Sequence, residues 1–168
     1  MPNKLVQNFG KNVSFTPATF AEPSTEQEVL ELLRKHRDQP IRVISSGHAW
    51  SSGIQTPGLL ISLKNINHVQ IDPTRDCVRV GAGCQLRSLL PQLESSGLTL
   101  PSLGLIDVQT VAGATATGTH GSGKHSLSHY ILAARIAHYD PETGEPTITE
   151  VDSGEALQAA RCSLGLLG

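Results

Sequence analysis

Val43-Ile44-Ser45-Ser46-Gly47-His48-Ala49-Trp50-Ser51 passes from β-branched strand residues into a loop of small, uncharged residues with one histidine before the tryptophan. Small residues let backbone amides come close to a large anionic ligand, and glycine widens the directions the chain can take. No carboxylate among residues 45–50 repels a phosphate. The plain alternative is an ordinary turn that tolerates a histidine, since short Gly/Ser motifs are weak signals. The flanks supply context. Ser24-Thr25-Glu26-Gln27 has the form of a capping box with Ser24 as N-cap. Val29, Leu32, Leu33 and His36 then recur at helical spacing, which predicts a helix over 24–38 ended by Pro40. Val13–Phe15 reads as an entry strand, Ile41–Ile44 as a short strand and Leu59–Leu63 as a buried one. That order is α/β organisation.

A second small-residue stretch, Thr110-Val111-Ala112-Gly113-Ala114-Thr115-Ala116-Thr117-Gly118-Thr119-His120-Gly121, has only Val111 and His120 as larger side chains. A packing strand would use Val, Ile or Leu. Bare backbone with interspersed hydroxyls suggests a flat, polar-edged partner lying against it; the alternative is a close strand–helix contact. Two such surfaces suit an extended cofactor with a pyrophosphate and a ring system.

Two other chemistries compete for this region. Gly118-Thr119-His120-Gly121-Ser122-Gly123-Lys124 has the spacing of a nucleoside-triphosphate loop. The next residue is His125, where a Ser or Thr would hold Mg²⁺, and Mg²⁺ prefers oxygen ligands. His125 and His129 are four apart, a spacing zinc sites use on helices. Gly121 and Gly123 argue against a helix there, and no cysteine or carboxylate lies close in sequence, so no metal site is expected.

Composition narrows the classes further. The 168 residues suit about one domain at ~100–200 residues per domain. Thirteen Lys and Arg against fifteen Asp and Glu give a net charge of -2, which leaves no basic excess for a nucleic acid. Aromatics are 4%, so the core is aliphatic, as parallel strands covered by helices require. No run reaches the ~20 apolar residues of a membrane span. Met1–Asn8 lacks the apolar core of a secretory signal. Cys77, Cys84 and Cys162 have no metal-ligand spacing and cannot all pair, so reduced thiols and a cytoplasmic setting are expected, with mitochondrial association of a parent enzyme left open.

The texture changes after residue 66. Val69–Asp72 and Cys77–Val80 alternate in period 2 across a turn, which predicts an antiparallel hairpin. Gln85–Ser95 reads as a helix that Pro91 limits or kinks. Ile131–Tyr139 and Thr147–Val151 flank a second hairpin turn, and Glu155–Leu164 reads as a closing helix. The expected division is two subdomains, 1–66 and 67–168, the second α+β with antiparallel strands.

With these residues in view, the sequence resembles the FAD-binding domain of the vanillyl-alcohol-oxidase or p-cresol-methylhydroxylase type. Within it the chain looks like the sugar-1,4-lactone oxidase and alditol oxidase branch. The resemblance rests on Pro23–Val29 as the first helix entry, Val43–Ser51 as the flavin-attachment loop, Asp107–Gly113 through Gly118–Gly123 as the second flavin segment, and Ala156–Gly165 as the closing helix. It implies an α+β fold in which a small α/β subdomain precedes a mostly antiparallel one. It implies FAD as cofactor, with His48 matching the histidine bonded to the flavin 8α-methyl. Ser45, Ser46, Gly47, Ala49 and Trp50 would hold the pyrophosphate through backbone amides. Thr110, Gly113, Thr117, Gly118, Thr119 and His120 would line the flavin and its linker, and Leu105 would stand beside the ring. His120 is the alternative attachment point. The implied activity is oxidation of a CH–OH group of a sugar lactone or polyol, with O₂ or another electron acceptor. Family members continue into a substrate domain after this point, so a complete active site is not expected within the 168 residues. The remaining alternative is a non-catalytic flavin- or nucleotide-binding module completed by another chain. Self-association through the apolar residues Ala156, Leu157, Ala160, Leu164, Leu166 and Leu167 is a further expectation.

Overall fold

The loop at residues 45–51 hangs from the edge strand of a small parallel sheet. The computed structural model describes residues 4–168; residues 1–3, which open the Met1–Asn8 stretch, lie outside them. Strands β3 (Thr19–Ala21), β4 (Ile41–Ile44) and β5 (Leu59–Ser62) pair in the order β3-β5-β4, all parallel. The central strand β5 is buried at every residue, which is why Leu59-Leu60-Ile61 is a continuous apolar run rather than an alternating one. Burying each of those side chains is worth roughly 1.5–3 kcal/mol. Strand β3 carries no periodic signal in three residues, and only its pairing with β5 defines it.

Helix α1 (Glu26–Lys35) connects β3 to β4 and lays Val29 and Leu33 against Leu59 and Ile61. Its N-cap is Thr25, one residue later than the sequence reading placed it. Thr25 accepts from the Glu28 N–H at 3.1 Å, and Glu28 reaches back to the Ser24 N–H at 2.7 Å. Thr25-x-x-Glu28 fits the capping pattern as well as Ser24-x-x-Gln27 does, and the charged acceptor makes the stronger bond. Ahead of the sheet, β1 (Val6–Gln7) and β2 (Ser14–Phe15) form a two-stranded antiparallel ribbon.

The later part of the chain is antiparallel. Hairpin β6 (Val69–Asp72) and β7 (Cys77–Val80) packs on α2 (Leu86–Ser95) through Cys84, Leu89 and Leu93. Helix α2 runs through Pro91, whose side is exposed, while Leu86, Leu89 and Leu93 bury the opposite face. The stretch after Thr110 is not extended: Val111–Ala116 is a short helix, α3, packed with Leu86 and Leu127. Hairpin β8 (Ala134–Tyr139) and β9 (Pro146–Val151) returns to α1. There the Tyr139 hydroxyl donates to the Leu33 carbonyl at 2.7 Å, and Arg135 makes a two-pronged pair with Glu26 at 2.9 and 2.7 Å. The pair holds the Glu26 carboxyl below its ordinary range, chiefly through the Arg135 hydrogen bond. Helix α4 (Gly154–Arg161) ends three residues short of the expected Leu164, where the backbone turns left-handed at Leu164 and Gly165. Leu157 is buried, while Leu164, Leu166 and Leu167 are exposed. Among the described residues no helix is long and apolar enough to cross a membrane.

Candidate functional site

The two small-residue stretches meet. Ser45 and Thr110 touch hydroxyl to hydroxyl, and the Ser46 hydroxyl donates to the Val108 carbonyl. Gln85 completes the junction by donating to the Ser46 hydroxyl at 3.3 Å. Thr110 is 5% exposed and is also the N-cap of α3, accepting from the Gly113 N–H at 3.2 Å. A side chain at Gly113 would place its Cβ 2.8 Å from the Ser45 hydroxyl oxygen, so glycine there lets α3 approach the loop. These contacts join residues more than 60 positions apart into one surface.

Along the loop the side chains are small and the backbone supplies the donors. Gly47 has φ +73°, a left-handed conformation that glycine adopts without a Cβ clash. The N–H groups of Gly47, His48, Ala49 and Trp50 have no acceptor among the described residues. The His48 ring nitrogens likewise have no partner among them. The imidazole stacks on Phe9, centroids 4.7 Å apart and planes 22° apart, and Phe9 meets Trp50 edge-on. An uncharged run of amide donors in residues that line an open cleft is suited to a diphosphate. A ring nitrogen without a partner is suited to act as nucleophile or ligand. The residues present therefore fit the pyrophosphate and ring edge of FAD.

The cleft has a volume of about 3090 Å³, well above the roughly 300–1,000 Å³ of ordinary small-molecule pockets. Ser45, Ser46, Gly47, His48, Ala49, Trp50, Thr110, Gly113 and Thr117 line it. Gly118, Thr119, His120 and Leu105 do not line it. Gly118 turns left-handed beside Cys162, Thr119 donates its N–H to Ala114, and the exposed His120 ring contacts the Gly121 carbonyl at 3.1 Å. Leu105 stands fully exposed on a loop. The α3 hydroxyls are turned inward on their own helix: Thr115 donates to the Val111 and Ala112 carbonyls and Thr117 to Gly113.

His125 and His129 stack at 4.0 Å beside Tyr130, and no group of three or more metal-ligating side chains forms among the described residues. His125 precedes a short 3₁₀ turn at Leu127–Tyr130, so the triphosphate pattern at Gly118–Lys124 does not open a helix. The residues that sequence reading did not single out are Asn8, Phe9, Asn12 and Gln85. Nothing in their local sequence marks them, because each acts on a segment at least 38 residues away.

Comparison with known proteins places the chain in a family. Residues 17–143 match the family model described as FAD binding domain. The chain is 49% identical over 164 residues to a long-chain alcohol oxidase of an uncultured marine euryarchaeote, covering 96% of this chain and 34% of that protein. It is 34% identical over 168 residues to L-gulonolactone oxidase of Mus musculus, covering 96% and 38%. It thus spans about a third of the length of the curated relatives it matches. Among solved structures, cholesterol oxidase from B. sterolicum superposes with a TM-score of 0.82 at 18% identity, over 97% of this chain and 35% of that one. The 6-hydroxy-D-nicotine oxidase of Arthrobacter nicotinovorans superposes at 0.75 and 23% identity, over 86% and 33%. Both likenesses show the fold. With the matched family model covering residues 17–143, most of the chain, this chain belongs to the FAD-binding domain family, of the p-cresol-methylhydroxylase type.

Proposed function

We propose that the cleft holds FAD, with its pyrophosphate on the backbone amides of the Ser45–Trp50 loop and a ring nitrogen of His48 bonded to the flavin 8α-methyl. Thr110, Gly113 and Thr117 then line the ring side of the cleft, whereas Gly118, Thr119, His120 and Leu105 stand outside its lining. The observation that carries this reading is the run of loop N–H groups without an acceptor among the described residues, next to an imidazole free at both nitrogens. Forming the bond removes one hydrogen from the methyl and one from the imidazole, and the two electrons leave to O₂ or another acceptor. The whole protein oxidises a CH–OH group of a sugar lactone or polyol, and the L-gulonolactone oxidase relative supports the lactone class. Flavin held there would supply a hydride acceptor, and this chain's part would be to position and shield it. A long-chain alcohol is the second reading, favoured by the 49% relative.

The substrate claim is tested by adding sugar lactones, polyols and long-chain alcohols to the full-length flavoprotein without oxygen. Bleaching by one class identifies the donor, and bleaching by none removes the oxidase assignment. For the covalent bond, acid-denatured holoprotein should stay yellow and a peptide spanning Ile44–Gln55 should carry the added mass. His48→Ala should lose both. Flavin released wholly by acid, or mass added elsewhere, defeats the His48 assignment.

A further inference from the structure

The chain before residue 17 lies outside the matched family segment, yet it grips the cofactor loop at three carbonyls, those of Gly47, Ala49 and Trp50. The Phe9 N–H donates to the Gly47 carbonyl at 2.7 Å. The Asn8 side-chain amide donates to the Ala49 carbonyl at 2.9 Å, and the Asn12 side-chain amide to the Trp50 carbonyl at 3.0 Å. The turn that presents these donors is itself locked. Asn8, 4% exposed, accepts from the Val13 N–H at 3.0 Å and donates to the Asn12 side chain at 2.7 Å. Its backbone closes through Asn8 N–H to Val13 and Lys11 N–H to Asn8, with Lys11 left-handed at φ 55°. A Cβ on Gly10 would fall 2.4 Å from the Trp50 ring, so the turn fits closely beneath the loop.

In a trans peptide the C=O and the N–H of the next residue point in opposite directions. The described chain has no cis bonds. Holding the carbonyls of Gly47, Ala49 and Trp50 toward the turn therefore turns the N–H groups of His48, Trp50 and Ser51 away from it. Phe9 adds a second restraint by stacking on the His48 ring, although Phe9 and Trp50 are 64% and 65% exposed. We propose that the Asn8–Val13 turn is a positioning element for the cofactor: by holding these carbonyls it aims the opposing amides at the FAD pyrophosphate. This rests on the reading that the loop takes the pyrophosphate.

The test uses the full-length protein in a His48→Ala background, so that no covalent bond hides the equilibrium. FAD and riboflavin, which lacks the pyrophosphate, are titrated by flavin fluorescence with and without Asn12→Ala. Asn12 is exposed, so the variant should fold, and an unchanged thermal midpoint confirms it. Loss of one orienting hydrogen bond should weaken FAD about tenfold and leave riboflavin within about twofold. FAD binding within twofold of the parent, or an equal loss for both ligands, overturns the inference. A His48→Ala parent that binds FAD no better than riboflavin defeats the pyrophosphate reading of the loop, and the inference with it.

Discussion

The Ser45–Ser51 loop and the Thr110–Thr117 segment look alike on paper, each a run of small and hydroxylated residues, but they do opposite things with their polar groups. In the loop the carbonyls are held from behind and the amides at Gly47–Trp50 have no internal acceptor among the described residues. In the segment a short helix takes up the amides, and its threonine hydroxyls bond to its own backbone or to Ser45. Smallness in the first opens the backbone to a ligand. Smallness in the second lets one element pack against the other. A run of Gly, Ala, Ser and Thr is therefore a statement about close approach, and only the partner says whether a ligand or the protein does the approaching.

Substitutions at the two glycines should separate these roles most clearly. Gly113→Ala pushes a methyl against Ser45 and should cost about 1–3 kcal/mol, the range for overpacking. Ser45→Gly should recover most of that loss, because it removes the opposing atoms. Urea unfolding of the single and double variants measures both, and failure of the rescue would mean that the clash lies elsewhere. Gly47→Ala has room for its methyl but keeps a left-handed backbone, so about 1–2 kcal/mol is expected, with FAD affinity falling alongside. If Gly47→Ala leaves FAD affinity untouched, the loop does not need its present shape to bind.

Hydroxyl removal tests the segment. Thr110→Val loses the α3 cap and the Ser45 contact and should cost about 1 kcal/mol of stability. Thr117→Val, at an exposed position bonded only to its own helix, should stay within about 0.5 kcal/mol. A large effect of Thr117→Val on FAD binding, with stability unchanged, would show that this hydroxyl turns toward the ligand.

The smallest expected effect is a pH slope on the segment side. Desolvation, followed by the charges of His125, Arg161 and Lys124, pushes the His129 pKa down. The unfolded chain then binds the proton more readily, so this contribution is complete above the ordinary histidine value of ~6.5 and is lost as pH falls through it toward the lower folded value. His129→Asn should flatten the thermal-midpoint profile in that window, whereas Gly47→Ala should leave its slope unchanged. An equal slope in the His129 variant would place the acid sensitivity elsewhere.

Much of the fold was legible because it is local. Period 2 across a polar turn marks β6–β7, the turn at Asp140–Gly144 marks β8–β9, helical spacing with capping residues marks α1, and an unbroken apolar run marks the buried β5. Strand β3 was not legible, since three residues carry no period, and the cap of α1 shifted because two overlapping capping patterns exist. In the site, the His48 loop stood out by composition. Its supports did not: Asn8, Phe9 and Asn12 look like any polar turn until the ribbon β1–β2 brings them beneath Gly47–Trp50.

By itself the sequence determined the local elements and the chemical character of both small-residue stretches, because propensity, capping and hydrophobic period act over a few residues. Only the tertiary structure decided which amides stay without an internal partner, which glycine faces Ser45, and which distant turn holds the loop. Those outcomes depend on contacts across 38 to 65 positions, whose pairing no local pattern encodes.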